Sequence, residues 1–181
     1  LALAFAGAMG GGVSAFQYSR GNHGDIQHIN ISSMASQGGF NFMCEARGKV
    51  YMAPGSAEKM LVLEPETNSI SSISLSAVAD EEVDEKFVGD CICELDGKVY
   101  AAPYNAEKML MHDPATNKTI GIDVSKAIES SDQEGKFMGI CSLHGKLYLA
   151  PFNALQWLVY DPVLGRTSFI DISKVVDVEM D

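Results

Sequence analysis

The chain has 181 residues, with 13 lysines and arginines against 24 aspartates and glutamates, which gives a net charge of −11. Apolar residues make up 46% of it, an ordinary share for a globular protein, so a chain that is disordered throughout is excluded. The acidic balance argues against a surface that neutralises nucleic-acid phosphates or adsorbs to anionic lipid. We therefore expect one domain and no nucleic-acid partner.

A seven-residue motif, Gly-Lys-apolar-Tyr-apolar-Ala-Pro, occurs three times. Its lysines are Lys49, Lys98 and Lys146, which lie 49 and 48 residues apart. Ten residues after the proline of each copy comes an acidic residue followed by a second proline, and eight residues later an Ile-x-apolar-Ser segment begins. Chance does not keep such spacing three times, so the chain consists of internal repeats.

Each copy predicts four short strands separated by turns. In the middle copy the Asp96-Gly97 pair is typical of a two-residue hairpin turn, because both positions accept a positive φ. Pro103 ends the second strand because it has no backbone donor. The four predicted strands of this copy are Phe87 to Leu95, Lys98 to Ala102, Met109 to His112 and Thr119 to Val124.

A period of about 40 to 50 residues with four antiparallel strands per unit is typical of a β-propeller. We predict an all-β, propeller-like array of about 3.5 blades, each a four-stranded antiparallel sheet. The predicted organisation is an apolar segment at 1–12, a partial blade at 13–36, three blades at 37–77, 87–126 and 137–175, and a tail at 176–181.

The repeat resembles the kelch repeat. The likeness rests on the Gly-Lys-Leu-Tyr strand at residues 145–148 and on the Tyr-Asp-Pro turn at residues 160–162, and it covers about residues 38 to 175. Two kelch features are missing, the Gly-Gly pair after the second strand and the Trp of the fourth strand. The resemblance therefore implies a kelch-like variant of the propeller fold.

Residues 1–12 leave two alternatives, a degenerate strand or the apolar part of a targeting signal followed by a small-residue site at 13–15. The apolar stretch is too short to span a bilayer, which needs roughly 20 residues. The ring is also incomplete at about 3.5 blades, because propellers close with four or more. Missing sequence or a second copy could complete it, or the array stays open with an exposed edge that favours a partner.

Candidate binding residues follow the second strand of each copy. In a blade these loops share one face with the long segments Ala77 to Lys86 and Lys126 to Lys136, and loops on a rigid scaffold commonly carry binding residues. The alternative is that the amides cap their own turns and the rings pack between blades. The candidates are Ser56, Tyr104, Asn105, Phe152 and Asn153.

No metal, cofactor or catalytic set is predicted. The acidic loop 80–85 lacks the spacing of a calcium loop, so it indicates a solvated loop, with a basic partner or a divalent cation as the alternatives. The cysteines recur at equivalent inner-strand positions and indicate core packing. Trp157 shares its register with Met60 and Met109, which predicts that all three fill the core between blades.

Two functional hypotheses follow. The first is a non-enzymatic scaffold or protein-binding module that uses the loop face or an open blade edge. In one version it is an accessory subunit of a membrane complex in a plastid or another organelle, docked through residues 1–12. The second is a propeller-fold enzyme of the hydrolase or lyase type, with Asp90 and Asn41 near the inner strands as its candidates.

Overall fold

A computed structural model describes residues 3–6, 15–19, 26–31, 39–127, 134–154, 156–172 and 174. A short 3-10 helix, Ser125–Ala127, follows the eleventh strand. The strands of the described part are Leu3–Ala6 (β1), Ala15–Ser19 (β2), Ile26–Asn30 (β3), Phe40–Ala46 (β4), Lys49–Pro54 (β5), Lys59–Glu64 (β6), Ser69–Ser74 (β7), Ile92–Leu95 (β8), Lys98–Ala101 (β9), Lys108–Asp113 (β10), Lys118–Asp123 (β11), Phe137–Leu143 (β12), Lys146–Pro151 (β13), Gln156–Asp161 (β14) and Arg166–Asp171 (β15).

The strands form antiparallel sheets in chain order, as the repeat predicts. β4 to β7, β8 to β11 and β12 to β15 each make one four-stranded sheet, here called the first, second and third full blades. β1, β2 and β3 make a three-stranded sheet, the partial blade. The prediction of an all-β array of four-stranded antiparallel blades is therefore confirmed. Of residues 1–12 only Leu3–Ala6, which pairs with β2, belongs to the described part.

The repeated motif has the same place in every full blade. Lys49, Lys98 and Lys146 are the first residues of β5, β9 and β13. The turn before each lysine is a two-residue hairpin with positive φ at both positions, for example 53° at Asp96 and 72° at Gly97. This is the backbone of a type I′ turn, whose twist matches the twist of the strands that it joins. The glycine recurs because the second position needs that conformation.

Side chains alternate between the two faces of each blade, and both faces are apolar near the centre. The forward face, defined here as the face that carries Tyr51, Tyr100 or Tyr148, packs in the first two full blades against the following blade. Tyr51 contacts His112 with ring centroids 5.7 Å apart, and Tyr100 contacts Tyr160 at 6.3 Å. One core cluster runs through all three full blades. A second cluster joins the first full blade to Ile29 and Ile31.

The inner strand of the second full blade is shorter than predicted. The sequence favoured a strand from Phe87, but β8 begins at Ile92. Phe87 lies 11 residues before Lys98, whereas Phe40 and Phe137 lie 9 residues before Lys49 and Lys146. Gly89 and Asp90 stand in this longer stretch, with a φ of 75° at Gly89. Asp90 instead forms a parallel bridge to Gly139 of the next blade. A local departure from the repeat thus links two inner strands directly.

The forward face of the third full blade is exposed. Trp157 is 40% exposed, whereas Met60 and Met109 at the same register are fully buried. The prediction that all three residues fill the core is therefore wrong for Trp157, because no described sheet packs on that face. Within the described ranges no helix has the length and apolar character needed to cross a membrane.

Candidate functional site

The predicted binding residues lie on the loop rim, defined here as the β5–β6, β9–β10 and β13–β14 loops with the segments that lead into β8 and β12. Backbone hydrogen bonds connect these loops from blade to blade. Lys86 N donates to Gly55 O at 2.8 Å, Tyr104 N to Lys86 O at 2.9 Å, Lys136 N to Tyr104 O at 2.9 Å, and Phe152 N to Lys136 O at 3.0 Å. The rim is therefore one hydrogen-bonded layer rather than a set of separate loops.

Two buried lysines lie beneath this layer. Lys86 and Lys136 are 1% and 3% exposed. Lys86 Nζ donates to Val83 O and to Glu81 O at 3.0 Å, and Lys136 Nζ donates to Asn105 O at 3.2 Å. Burial lowers the pKa of Lys136, and Glu107 and Glu134 act in the opposite direction. The lysines satisfy loop carbonyls that a turn otherwise leaves to water.

Sequence reasoning missed these two lysines as a pair. A signal was present, because Lys-Phe recurs at residues 86–87 and 136–137 ahead of the inner strands. A charged residue before a strand is usually solvated, so the pattern did not predict burial.

The predicted amide and hydroxyl residues hold the rim together. Asn105 Oδ1 accepts a hydrogen bond from Gly135 N at 2.9 Å, and its Nδ2 donates to Asp84 O at 3.2 Å. Asn153 Nδ2 donates to Glu134 O at 2.9 Å, and Ser56 Oγ accepts from Glu85 N at 3.2 Å. These side chains stand at equivalent points and bond the neighbouring segments, so they fix the loops on which the aromatic rings stand.

The two predicted aromatic residues form a pair across neighbouring blades. The ring centroids of Tyr104 and Phe152 lie 5.6 Å apart with their planes tilted by 44°. Gly135 lies under the pair, with a φ of 63°, and a Cβ atom there would approach Phe152 Cδ1 at 3.0 Å and Tyr104 Cζ at 3.1 Å. Phe152 is nonetheless 54% exposed. The structure therefore brings the rings together on a glycine shelf and leaves one of them open to solvent.

Exposed carboxylates lie on the same rim as the aromatic pair. Asp84, Glu85, Glu107 and Glu134 are exposed, beside the segments that Asn105 and Lys136 bond. The remaining carboxylates of the loop 80–85 are exposed too. Lys86 and Lys136 donate to carbonyl oxygens, while Lys108, which follows Glu107, is exposed. The described residues of the rim therefore expose more carboxylates than ammonium groups.

The cysteines, Asp90 and Asn41 are the side chains that the enzyme hypothesis concerns. Burial raises the pKa of the Cys44, Cys91 and Cys93 thiols to about 12, so they stay protonated at neutral pH. Across the described ranges no group of three or more His, Cys, Asp or Glu residues is arranged to hold a metal ion. Asp90 is exposed at the bulge before β8, and the side chain of Asn41 lies outside the described residues.

No protein-family model matches the chain, and no curated protein matches it either. Solved structures resemble it at the level of the fold. An inactive H270A virginiamycin B lyase from Staphylococcus aureus, crystallised with quinupristin, superposes with a TM-score of 0.67 at 11% identity. The match covers 88% of this chain and 49% of that one.

Two structures of AztD from Citrobacter koseri give TM-scores of 0.55 and 0.52 at 13% and 15% identity. Each match covers 90% of this chain and 43% of the AztD chain. The chain thus spans about half or less of the length of these neighbours. At such identities the likeness shows a propeller-like fold, and it carries no information about activity.

Proposed function

We propose that this chain is a non-enzymatic, propeller-like module that binds another protein through the loop rim. The proposed contact is a basic segment of the partner that places an apolar side chain on Phe152 and Tyr104 and cationic side chains on the surrounding carboxylates. The observation that carries the proposal is the aromatic pair on Gly135, in which Phe152 is exposed and the backbone of both residues is held by hydrogen bonds.

Fixed aromatic side chains are favourable binding anchors. Binding segments normally lose conformational freedom when a partner docks, and that loss reduces affinity. Here the backbone of Tyr104 and Phe152 is already held by Lys86 and Lys136, and Asn105 bonds the segments on both sides. Aromatic residues are also enriched among the few positions that dominate binding energies at protein interfaces.

The charge of the rim indicates the chemistry of the partner. The carboxylates of the loop 80–85, with Glu107 and Glu134, are exposed on the same rim as the rings. Such a surface attracts a lysine- or arginine-rich segment and repels an acidic one, which contributes more to specificity and association rate than to affinity. A basic partner was the alternative that the acidic loop left open in the sequence.

The finer assignments belong to the same proposal. We propose that the repeats are a kelch-like variant, supported by the Gly-Lys-Leu-Tyr strand and the Tyr-Asp-Pro turn, and that the module is a scaffold or an accessory subunit of a larger complex. The sequence also predicts two other contacts with a partner. One is the open blade edge, and the other is residues 1–12 as a docking segment for an organellar membrane complex. Both stay predictions.

Selection of random peptides displayed on phage tests the proposal. The immobilised chain should enrich basic peptides that contain an aromatic or large aliphatic residue. The Phe152→Ser variant should bind them about tenfold or more weakly, because truncation of an anchor costs on the order of 2 kcal/mol. Val163→Ser is the matched control, since Val163 is 84% exposed at the opposite end of the same blade.

A second variant acts on the position of the rings without removing them. Gly135→Ala places a methyl group against both rings and should weaken the same peptides. Enriched peptides that bind Phe152→Ser as well as they bind the original chain would refute the proposed contact. Failure to enrich any basic peptide would refute the proposed partner chemistry.

A further inference from the structure

A cleft opens between the first and second full blades at the end opposite the loop rim. It encloses about 430 Å³. Its polar lining residues come from both blades. The first full blade contributes Arg47, Lys49, Tyr51 and Ser71, and the second contributes His112 and Asn117. Small-molecule sites usually measure roughly 300 to 1,000 Å³, so the volume suits a small organic ligand and exceeds what a single inorganic ion needs.

Arg47 crosses the mouth of this cleft from one blade to the next. It stands in the β4–β5 turn, and its Nε donates to Gly97 O of the second full blade at 3.2 Å. A guanidinium group carries five N–H donors, and this bond uses one of them. None of the described carboxylates forms an ion pair with Arg47. The contact holds the guanidinium in place while most of its donors stay available to a ligand.

The other polar groups of the cleft add donors around this charge. Lys49 Nζ lies 3.1 Å from Glu64 Oε1, so that lysine is paired, whereas Arg47 forms no ion pair with a described carboxylate. Ser71 and Tyr51 contribute hydroxyl groups, and Asn117 contributes an amide. The lining residues include two cationic side chains and no carboxylate, although the chain as a whole has a net charge of −11.

His112 fixes the opposite wall. The residue is 2% exposed, its ring packs against Tyr51, and its Nδ1 lies 3.0 Å from Thr119 Oγ1. Both contacts hold the imidazole upright on β10. The imidazole of His112 is therefore held by a ring contact and by a hydrogen bond.

The repeat supplies an internal comparison, because the next junction has the same backbone and different residues. Between the second and third full blades, Asp96 stands in the place of Arg47 and Tyr160 in the place of His112. Ile120 stands in the place of Ser71, and Gly165 in the place of Asn117. Four positions that are cationic or polar at the first junction are thus acidic, aromatic or apolar at the second. The core between blades does not require the polar set, since the second junction packs without it.

We infer that the cleft between the first and second full blades binds a small organic oxyanion, with Arg47 as the principal contact for its carboxylate or phosphate group. The guanidinium fork matches either group in geometry and charge, and the hydroxyl and amide groups supply further hydrogen bonds. Tyr51 and His112, which are buried and pack against each other, close the base of the cleft beneath the ligand. This site is separate from the loop rim and goes beyond the proposed function.

Titration of the isotopically labelled chain followed by two-dimensional NMR tests the inference. The probes are inorganic phosphate, glucose 6-phosphate, citrate and uncharged glucose. Glucose 6-phosphate or citrate should shift the amide signals of residues 47–51 and 112–117, and glucose should not. A response to the two phosphates alone assigns a phosphate ligand, and a response to citrate alone assigns a carboxylate.

Two substitutions copied from the second junction test the residues. Arg47→Asp should weaken the responding probe about tenfold or more, as expected for loss of a charged hydrogen bond. Ser71→Ile should weaken it by filling the cleft. His144→Asp is the matched control, because His144 occupies the same turn of the third full blade with nearly the same φ, 49° against 51°. Circular dichroism checks that each variant folds.

Failure of every anionic probe to shift these signals at millimolar concentration would overturn the inference. An equal loss of binding in His144→Asp and Arg47→Asp would overturn it too, since the loss would then not depend on the Arg47 guanidinium group. Neither result bears on the loop rim, whose test uses different residues and a different ligand.

Discussion

The forward faces of the second and third full blades share a pattern of mainly apolar residues, but they differ in how far those residues are covered. In the second blade Met109 is fully buried beneath the third blade. In the third blade Trp157 and Ile170 occupy the forward positions of the two outer strands, and they are 40% and 54% exposed. The same comparison holds for the inner strand, where Cys93 is half-buried and Cys141 is exposed.

This difference shows that burial in a repeat array belongs to the junction and not to the blade. A sheet face with the correct pattern remains wet until another sheet covers it, because hydrophobic stabilisation scales with the area removed from water. Repeat proteins behave in this manner generally, since each unit gains stability chiefly from its neighbours. The variants below compare the covered junctions with exposed positions that share their local structure.

The largest expected effect is truncation at the covered face. Met109→Ala should lower the free energy of unfolding by about 2 to 5 kcal/mol, because it removes a buried side chain and leaves a cavity. Trp157→Ala, at the same register on the uncovered face, should cost about half as much or less, although its side chain is larger. Urea unfolding of both variants measures the difference, and an equal loss would contradict the comparison.

The next effect concerns the backbone that links two inner strands. Gly89 has a φ of 75°, and a Cβ atom there would lie 2.2 Å from Met138 O. Gly89→Ala should cost about 2 to 4 kcal/mol from the clash together with the conformational strain. Gly145→Ala has a similar φ of 73° and open space around it, so only about 1 to 2 kcal/mol is expected. Thermal unfolding of the two variants measures the difference, and equal melting temperatures would show that the clash with Met138 does not add to the destabilisation.

A smaller effect is expected from the buried lysines of the loop rim. Lys86→Met keeps the apolar stem and removes the ammonium group that bonds Glu81 O and Val83 O. Leaving those carbonyls unsatisfied should cost about 1 to 3 kcal/mol. Lys118→Met changes an exposed lysine of β11 and should stay within about 0.5 kcal/mol. Amide hydrogen exchange should localise the loss to the rim, and protection that stays unchanged there would argue against the lysine as its support.

The smallest effect is a pH dependence at the first junction. Burial lowers the pKa of His112 below its ordinary value of 6.5. As the pH falls through 6.5 the unfolded chain takes up the proton and the folded chain resists it, so stability should decline on acidification and be constant above that range. His112→Tyr, which copies Tyr160 of the second junction, should remove this component. Urea unfolding of the two proteins between about pH 7.5 and 5.5 gives the difference, and identical profiles would contradict it.

Several elements could be derived from residues alone because they depend on local chemistry. The hairpins at Asp96-Gly97 and its sister turns need a positive φ, and glycine marks that need directly. The limits of β10 and β11 also lie within about one residue of the alternating pattern. The strand expected from Phe87 failed, because Asp90 pairs with Gly139 of another blade and no local pattern reports such a partner.

The candidate sites were likewise predictable from the sequence only in part. The position of Tyr104, Asn105, Phe152 and Asn153 at the loops followed from the repeat, and their place on the loop rim depended only on strand direction. That the amides bond neighbouring segments, and that the two rings meet over Gly135, depended on distances between blades. Arg47 and His112 belong to different repeats, so neither repeat by itself predicted that they would line one cleft.

The sequence by itself determined the repeat, the four strands of each unit and the turns between them, since hydrogen-bonding capacity and φ preference reside in single residues and their close neighbours. Only the tertiary structure decided which equivalent side chains are buried, which carbonyls receive Lys86 and Lys136, and which junction holds a polar cleft. Those outcomes depend on the surface that each blade meets, and that surface lies nearly fifty residues away along the chain.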